Sequence, residues 1–181
     1  NAFAEMFPTI RDNPDYTAVI NARHHARLQS YLDDAREQDG EIRVINPAKE
    51  SFAMQKEGVH KIPPTLVIEP KASMKIMQEE IFGPLLPMKS YQHIDDAIDY
   101  INAHPRPLAL YLFSDDEREK ERILSRTISG GVTINDVIQH ISCEDLPFGG
   151  IGASGMGNYH GPEGFKTFSH ARSVYTQSKI N

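Results

Sequence analysis

The residues with the most chemistry to offer are Glu79-Glu80-Ile81-Phe82-Gly83-Pro84. A carboxylate only accepts hydrogen bonds, so it can grip hydroxyls, and an aromatic ring can cover a flat heterocycle. Paired glutamates beside an aromatic and a Gly-Pro turn therefore suit a polar cofactor, although a Glu pair on a solvated turn reads the same way. A second set is His140, Cys143, Glu144 and Asp145. It holds the parts of a thiol nucleophile, its base and an orienting acid. Catalytic partners usually meet through the fold and not as sequence neighbours, so a lone thiol in a loop is the competing reading. A third is Gly150-Ile151-Gly152-Ala153-Ser154-Gly155, a letter-for-letter G-x-G-x-x-G. A dinucleotide turn needs a strand before it and a helix after it, so that helix N–H groups face the pyrophosphate. Here Leu146-Pro147-Phe148 precedes and Met156-Gly157-Asn158-Tyr159-His160-Gly161 follows. A tight packing loop is expected, not a phosphate cradle. The eight histidines do not fall at metal-ligand spacings, and no metal site is expected.

These segments need elements to hold them. Phe3, Met6 and Phe7 have helical spacing over 1–7, which Pro8 stops. Ala22, Leu28, Tyr31, Leu32 and Ala35 share one face of a helix within 21–38, with Gly40 as its stop. Short strands are expected at 42–45, 65–68 and 85–91, with a mixed loop over 46–64. Ile94, Ala97, Ile98 and Ile101 predict an amphipathic helix, and 108–113 a buried strand. Ser114-Asp115-Asp116-Glu117 reads as a capping box opening a helix to Ile128, ended by Gly130-Gly131. A strand at 132–134, a long functional loop over 136–159, a short helix at 162–168 and an alternating edge strand at 172–178 complete the chain. The strand–helix–strand–helix–strand order from 85 to 134 predicts an α/β fold with a parallel sheet and helices on its faces. Ligands of such sheets sit beyond the carboxyl ends of the strands, where the loop from Asn135 begins.

At 181 residues the chain is one ordinary domain, or one domain with a tail. Its net charge of −6 argues against a nucleic-acid partner, and no apolar run is long enough for a membrane span. One cysteine leaves no internal disulfide and fits a reducing cytoplasm. The chain starts with Asn1 in what reads as a helix end, so a piece of a longer protein is expected.

Taken in order, several blocks resemble aldehyde dehydrogenases. They are Asn13-Pro14-Asp15-Tyr16, Met77 to Pro84, Pro107 to Phe113, Ser129 to Asp136, Leu146 to Gly150 and Ser154 to Gly157. Asn158-Tyr159-His160-Gly161 and Thr167-Phe168-Ser169-His170 point to the class 3 fatty and aromatic branch, and within it most to bacterial coniferyl aldehyde dehydrogenases. The resemblance implies an enzyme that oxidises an aldehyde to an acid with NAD or NADP, through a cysteine thiohemiacetal and a glutamate-activated water. It gives Glu80 the nicotinamide ribose hydroxyls and Phe82 the nicotinamide ring. Asn135 would lie near the active site. His140, Ile141 and Ser142 would line the substrate entrance, with Phe148 in the loop that closes it. Residues 172–178 would be the oligomerisation strand of a homodimer.

By the same resemblance, 1–157 are part of the catalytic domain, with its parallel twisted sheet, and 158–181 a terminal helix and arm. The nucleophile segment, the general-base glutamate and the dinucleotide domain would lie upstream, in a parent of which this is roughly the last two-fifths. Cys143 does not stand at the nucleophile position, so this chain alone is expected to be inactive. The competing roles are a non-catalytic folding and dimerisation unit, and a hydrolase using Cys143 and His140.

Overall fold

The computed structural model describes residues 2–53 and 58–179. Asn1, part of the expected first helix, lies outside the described residues, as do 54–57 of the expected loop and the last two residues of the expected arm. The chain forms two compact units, Asn1–Ser90 and Tyr91–Asn181.

The first unit contains α1 (Ala2–Met6), α2 (Ala22–Glu37), β1 (Glu41–Val44), β2 (Thr65–Ile68), a 3-10 turn at Lys75–Met77 and β3 (Leu85–Met88). Its centre is α2. Asn21 caps the helix by accepting from the His24 N–H, which satisfies one of the orphan donors of the first turn. Of the expected apolar face, Leu28, Tyr31, Leu32 and Ala35 are buried, while Ala22, in the first turn, is exposed. They form one core with Ile62, Val67, Met74, Ile76 and Leu85. The helix stops through Asp39, whose φ is 60°, and the Gly40 N–H bonds back to the Ala35 carbonyl at 2.7 Å. β2 pairs antiparallel with β1 and parallel with β3. The connection from β2 to β3 carries the Glu79–Pro84 turn.

The second unit contains α3 (Ile94–Asn102), β4 (Ala109–Leu112), α4 (Glu117–Arg126), β5 (Gly131–Ile134), α5 (Gln139–Ser142) and α6 (Gly161–Thr167). β4 and β5 pair in parallel across α4, and Ile98, Leu110, Leu112 and Ile123 make the core. Asp95 of α3 accepts from Arg122 and Arg126 of α4 on the surface, where such pairs contribute little. Asp116 and not Ser114 caps α4, accepting from the Arg118 N–H at 2.8 Å, while the Ser114 hydroxyl donates to Glu119. The helix ends at Arg126, two residues before the expected Ile128, because Thr127 has turned extended.

Two expectations about the sheet are corrected. The α/β class stands, but the strands form a three-stranded sheet and a separate two-stranded one, not a single parallel sheet through 85–134. β3 takes its ladder from β2, and β4 pairs with β5 instead. Residues 172–178 form no strand. A strand exists only where a neighbour completes its hydrogen bonds, and among the described residues no backbone hydrogen bond pairs this segment with another. Its Val174 and Tyr175 are almost fully exposed. Among the described residues no helix is long and apolar enough to cross a membrane.

Leu28 is fully buried at the centre of the first core. Leu28→Ala is expected to lower the unfolding free energy of the chain by about 3 kcal/mol, read as a lower urea midpoint at unchanged slope.

Candidate functional site

The Glu79–Pro84 turn is shaped from α2. The Arg27 guanidinium donates to the Glu80 carbonyl at 2.7 Å and to the Ile81 carbonyl at 2.6 Å. One turn along the helix, the Tyr31 hydroxyl accepts from Arg27 and donates to the Glu79 carboxylate at 2.6 Å. Burial, chiefly, raises the Tyr31 pKa, which keeps its hydroxyl a donor. Between Arg27 and Tyr31 in sequence, Leu28 packs against Gly83 so closely that a Cβ there would come within 2.4 Å of its Cδ1. The two glutamates therefore differ. Glu79 is engaged with Tyr31. Glu80 is exposed, and no hydrogen bond among the described residues engages its carboxylate.

Phe82 follows with a φ of 47° and 77% of its surface exposed. An aromatic in the left-handed region costs about 1–2 kcal/mol, and a large exposed ring forgoes burial as well. Such strain persists only where surroundings over-determine it, and it clusters at functional sites. The ring edges a groove of about 800 Å³ that Tyr16, Val19, Ile20, His24, Gly83 and Pro84 also line. An acceptor for hydroxyls and an exposed ring beside an apolar groove fit a sugar joined to a flat heterocycle. Tyr16 donates its hydroxyl to the Ile62 carbonyl at 2.7 Å, and burial pushes its pKa up to about 12.

The second unit gathers the other candidates around β5 and the loop after it. Asn135, at φ 58°, clasps Ser114 with both ends of its amide: it accepts from the Ser114 N–H at 2.8 Å and donates to the Ser114 carbonyl at 3.0 Å. Ile138, a β-branched residue at φ 67°, opens α5. On α5, His140 is buried and Ile141 half-buried, while Ser142 is exposed. His140 Nδ1 lies 2.8 Å from the Thr133 hydroxyl, which also accepts from the His140 N–H. Its ring neighbours Tyr111 and Phe148, with centroids 6.0 and 6.2 Å away. Phe148 in turn neighbours Tyr159 and His160, and its backbone pairs with Tyr159 in an antiparallel bridge. His140 Nε2 is buried without a hydrogen-bond partner.

The structure thus brings His140 and Phe148 together, with Ile141 and Ser142 on the same short helix. Glu80 and Phe82 belong to the other unit. Cys143 is an exposed thiol, and neither nitrogen of His140 is hydrogen-bonded to it, so the cysteine-hydrolase reading lacks its base. The glycine loop is the expected packing loop: a Cβ on Gly150 would come within 2.1 Å of the Ser154 carbonyl oxygen, and no helix starts before Gly161. Among the described residues no group of His, Cys, Asp or Glu could hold a metal.

Sequence reasoning missed Arg27, Tyr31 and Thr133 as parts of these sites. Tyr31 was legible only as one member of an apolar face. Arg27 stands one position before Leu28, and its target lies 53 residues away.

The sequence profile of the Aldehyde dehydrogenase family matches residues 5–174. A probable coniferyl aldehyde dehydrogenase of Caulobacter vibrioides is 57% identical over 98% of this chain and 36% of its own. Aldehyde dehydrogenase family 3 member A2 of Mus musculus is 45% identical over 90% of this chain and 31% of its own. Among solved structures, Staphylococcus aureus AldH in a substrate-bound state superposes with a TM-score of 0.79 at 38% identity, over 98% of this chain and 38% of that one. The chain spans about a third of the length of the curated relatives it matches.

Tyr16 offers a check on the groove. Its folded pKa, about 12, lies above the ordinary 10, so burial favours the neutral form. That contribution to stability is complete below pH 10 and is lost as pH rises from 10 towards 12. An ultraviolet titration should find one tyrosine ionising near pH 12, and Tyr16→Phe should remove that step.

Proposed function

The chain belongs to the aldehyde dehydrogenase family, and from that premise we propose that the intact protein oxidises an aldehyde to its carboxylic acid with NAD or NADP. The substrate is an aromatic or hydroxycinnamic aldehyde such as coniferyl aldehyde, a reading supported by identity to relatives of that name. The observation that carries the role of this chain is the division of labour at Glu79–Phe82. Tyr31 occupies Glu79, while Glu80 keeps an unengaged carboxylate beside an exposed ring on a strained turn. Glu80 would accept from the nicotinamide ribose hydroxyls and Phe82 would cover one face of the nicotinamide ring. The bound nucleotide supplies a hydride acceptor. This chain's residues hold and orient it.

His140, Ile141, Ser142 and Phe148 form the substrate entrance in this reading. The Thr133–His140 contact fixes α5, and the aromatic cluster fixes Phe148. Asn135 stands near the reacting centre, where its clasp on Ser114 sets the loop that leaves β5. Residues 1–157 are part of the catalytic domain. Residues 158–181 are the arm through which two subunits join in a homodimer, in the cytoplasm. The exposed Phe165, Phe168, Val174 and Tyr175 support that reading, since exposed apolar groups in a row are what a partner covers. The nucleophilic cysteine, the general base and the dinucleotide domain belong to the rest of the polypeptide.

The test is an assay of the full-length protein with coniferyl aldehyde, following reduced nucleotide. Oxidation by the intact protein and none by this chain alone is expected; activity in this chain alone would overturn the division of roles. Glu80→Gln in the intact enzyme should raise the KM for the nucleotide about tenfold, the loss of a charged hydrogen bond worth about 1.5 kcal/mol. A calorimetric titration of this chain with NAD should give binding weaker than micromolar, because it holds only the nicotinamide end.

A further inference from the structure

We propose that Arg27 is a positioning residue for nucleotide capture: its guanidinium fork, bonded to the carbonyls of Glu80 and Ile81, sets the strained turn that presents Glu80 and Phe82 to the nicotinamide riboside. The inference rests on the reading of Glu80 and Phe82 given above, and it concerns a residue that does not itself touch the cofactor.

The geometry leads there in three steps. First, both guanidinium contacts fall on consecutive carbonyls immediately before Phe82, at 2.7 and 2.6 Å. A planar fork that bridges two acceptors fixes the orientation of the peptide between them, which a single point donor does not. Second, the turn needs an external hold. Phe82 sits at φ 47° with its ring exposed, so burial of its own side chain does not account for the conformation. Third, the hold comes from one rigid element. Arg27 is itself braced by Tyr31, over whose ring its guanidinium carbon lies 5.1 Å from the centroid. Tyr31 is buried and tied to Glu79, and Leu28 closes the other side at Gly83. Arg27, Leu28 and Tyr31 lie on the i, i+1, i+4 positions of the best-packed helix of the unit. A site built on such an element is presented preorganised, so the nucleotide does not have to order the turn on binding.

The experiment uses the full-length enzyme with four substitutions, Arg27→Met, Arg27→Lys, Glu80→Gln and Phe82→Ala, and 4-fluorophenylalanine placed at position 82. Three quantities are read: the calorimetric Kd for the nucleotide, the separate KM values for nucleotide and aldehyde, and the fluorine resonance without nucleotide. Arg27→Met is expected to raise the nucleotide Kd about tenfold with the aldehyde KM unchanged, and to shift or broaden the fluorine line. Arg27→Lys keeps the charge but loses the fork, and an increase of about threefold is expected; it serves also if the methionine variant fails to fold. If Glu80→Gln and Phe82→Ala weaken nucleotide binding but neither Arg27 variant does, the positioning role is wrong and the nucleotide reading stands. If Glu80→Gln and Phe82→Ala leave binding unchanged, the nucleotide reading fails and the positioning role fails with it. An Arg27→Met enzyme whose aldehyde KM rises as much as its nucleotide Kd has merely loosened, and that outcome also overturns the proposal.

Discussion

The bonds from Arg27 to the Glu80 and Ile81 carbonyls join α2 to the segment between β2 and β3, and much of the first unit hangs on that junction. β3 is parallel to β2, so the chain must leave one strand, cross, and return in register. The crossover contains only a single 3-10 turn as regular structure, and a segment that short of internal hydrogen bonds takes its shape from whatever it packs against. What it packs against is α2. Arg27 satisfies two of its carbonyls, Leu28 fills the space beside Gly83, and Tyr31 neutralises the demand of Glu79 for donors. The backbone of 79–83 is then over-determined, which is the condition under which a phenylalanine can stay at a positive φ with its ring in solvent.

The second unit follows the same logic with other groups. Asn135 and Ser114 exchange two hydrogen bonds between the ends of neighbouring parallel strands, where the ladder of β4 and β5 has run out. Thr133, facing inward from β5, meets both the ring and the backbone N–H of His140. Thus α5, only four residues long and unable to sustain itself, is held by one buried hydroxyl. Phe148 takes its position from rings on either side and from its bridge to Tyr159. Apart from the buried His140, the candidate ligand-binding residues are exposed or half-buried, and Arg27, Tyr31 and Thr133, which place them, are half-buried or buried polar groups with defined partners. That is the pattern of a presented site: the binding surface can be wet because its orientation is set underneath.

Much of the fold could be read from residue order. The face of α2, the amphipathic α3, the β4–α4–β5 unit and the packing role of the glycine loop all follow from periodicity, caps and flanking residues, which are local properties. The aldehyde dehydrogenase resemblance is also a property of residue order, and the family match extends over nearly the whole chain. What did not follow was pairing. A run of strand-like residues says nothing about its neighbour, so β3 and β4 were expected in one sheet and belong to two, and 172–178 was expected as a strand and pairs with none among the described residues.

The sequence by itself determined most of the helical segments, though not α5, which lies within an expected loop; it also determined most of the residues of α2 that turn inward, and which six-residue turn carries carboxylates and a ring. Residue type alone could not separate Glu79 from Glu80, because adjacent identical residues have the same chemistry until something approaches one of them; only the family resemblance singled out Glu80. Tertiary structure decided that Tyr31 engages Glu79 and leaves Glu80 unengaged, that Arg27 reaches backbone carbonyls 53 and 54 positions away, and that Phe82 points out and not in. The physical reason is the same in each case. Hydrogen bonds to backbone carbonyls and strained φ values depend on which atoms lie within about 3 Å, and distance along the chain does not fix distance in space.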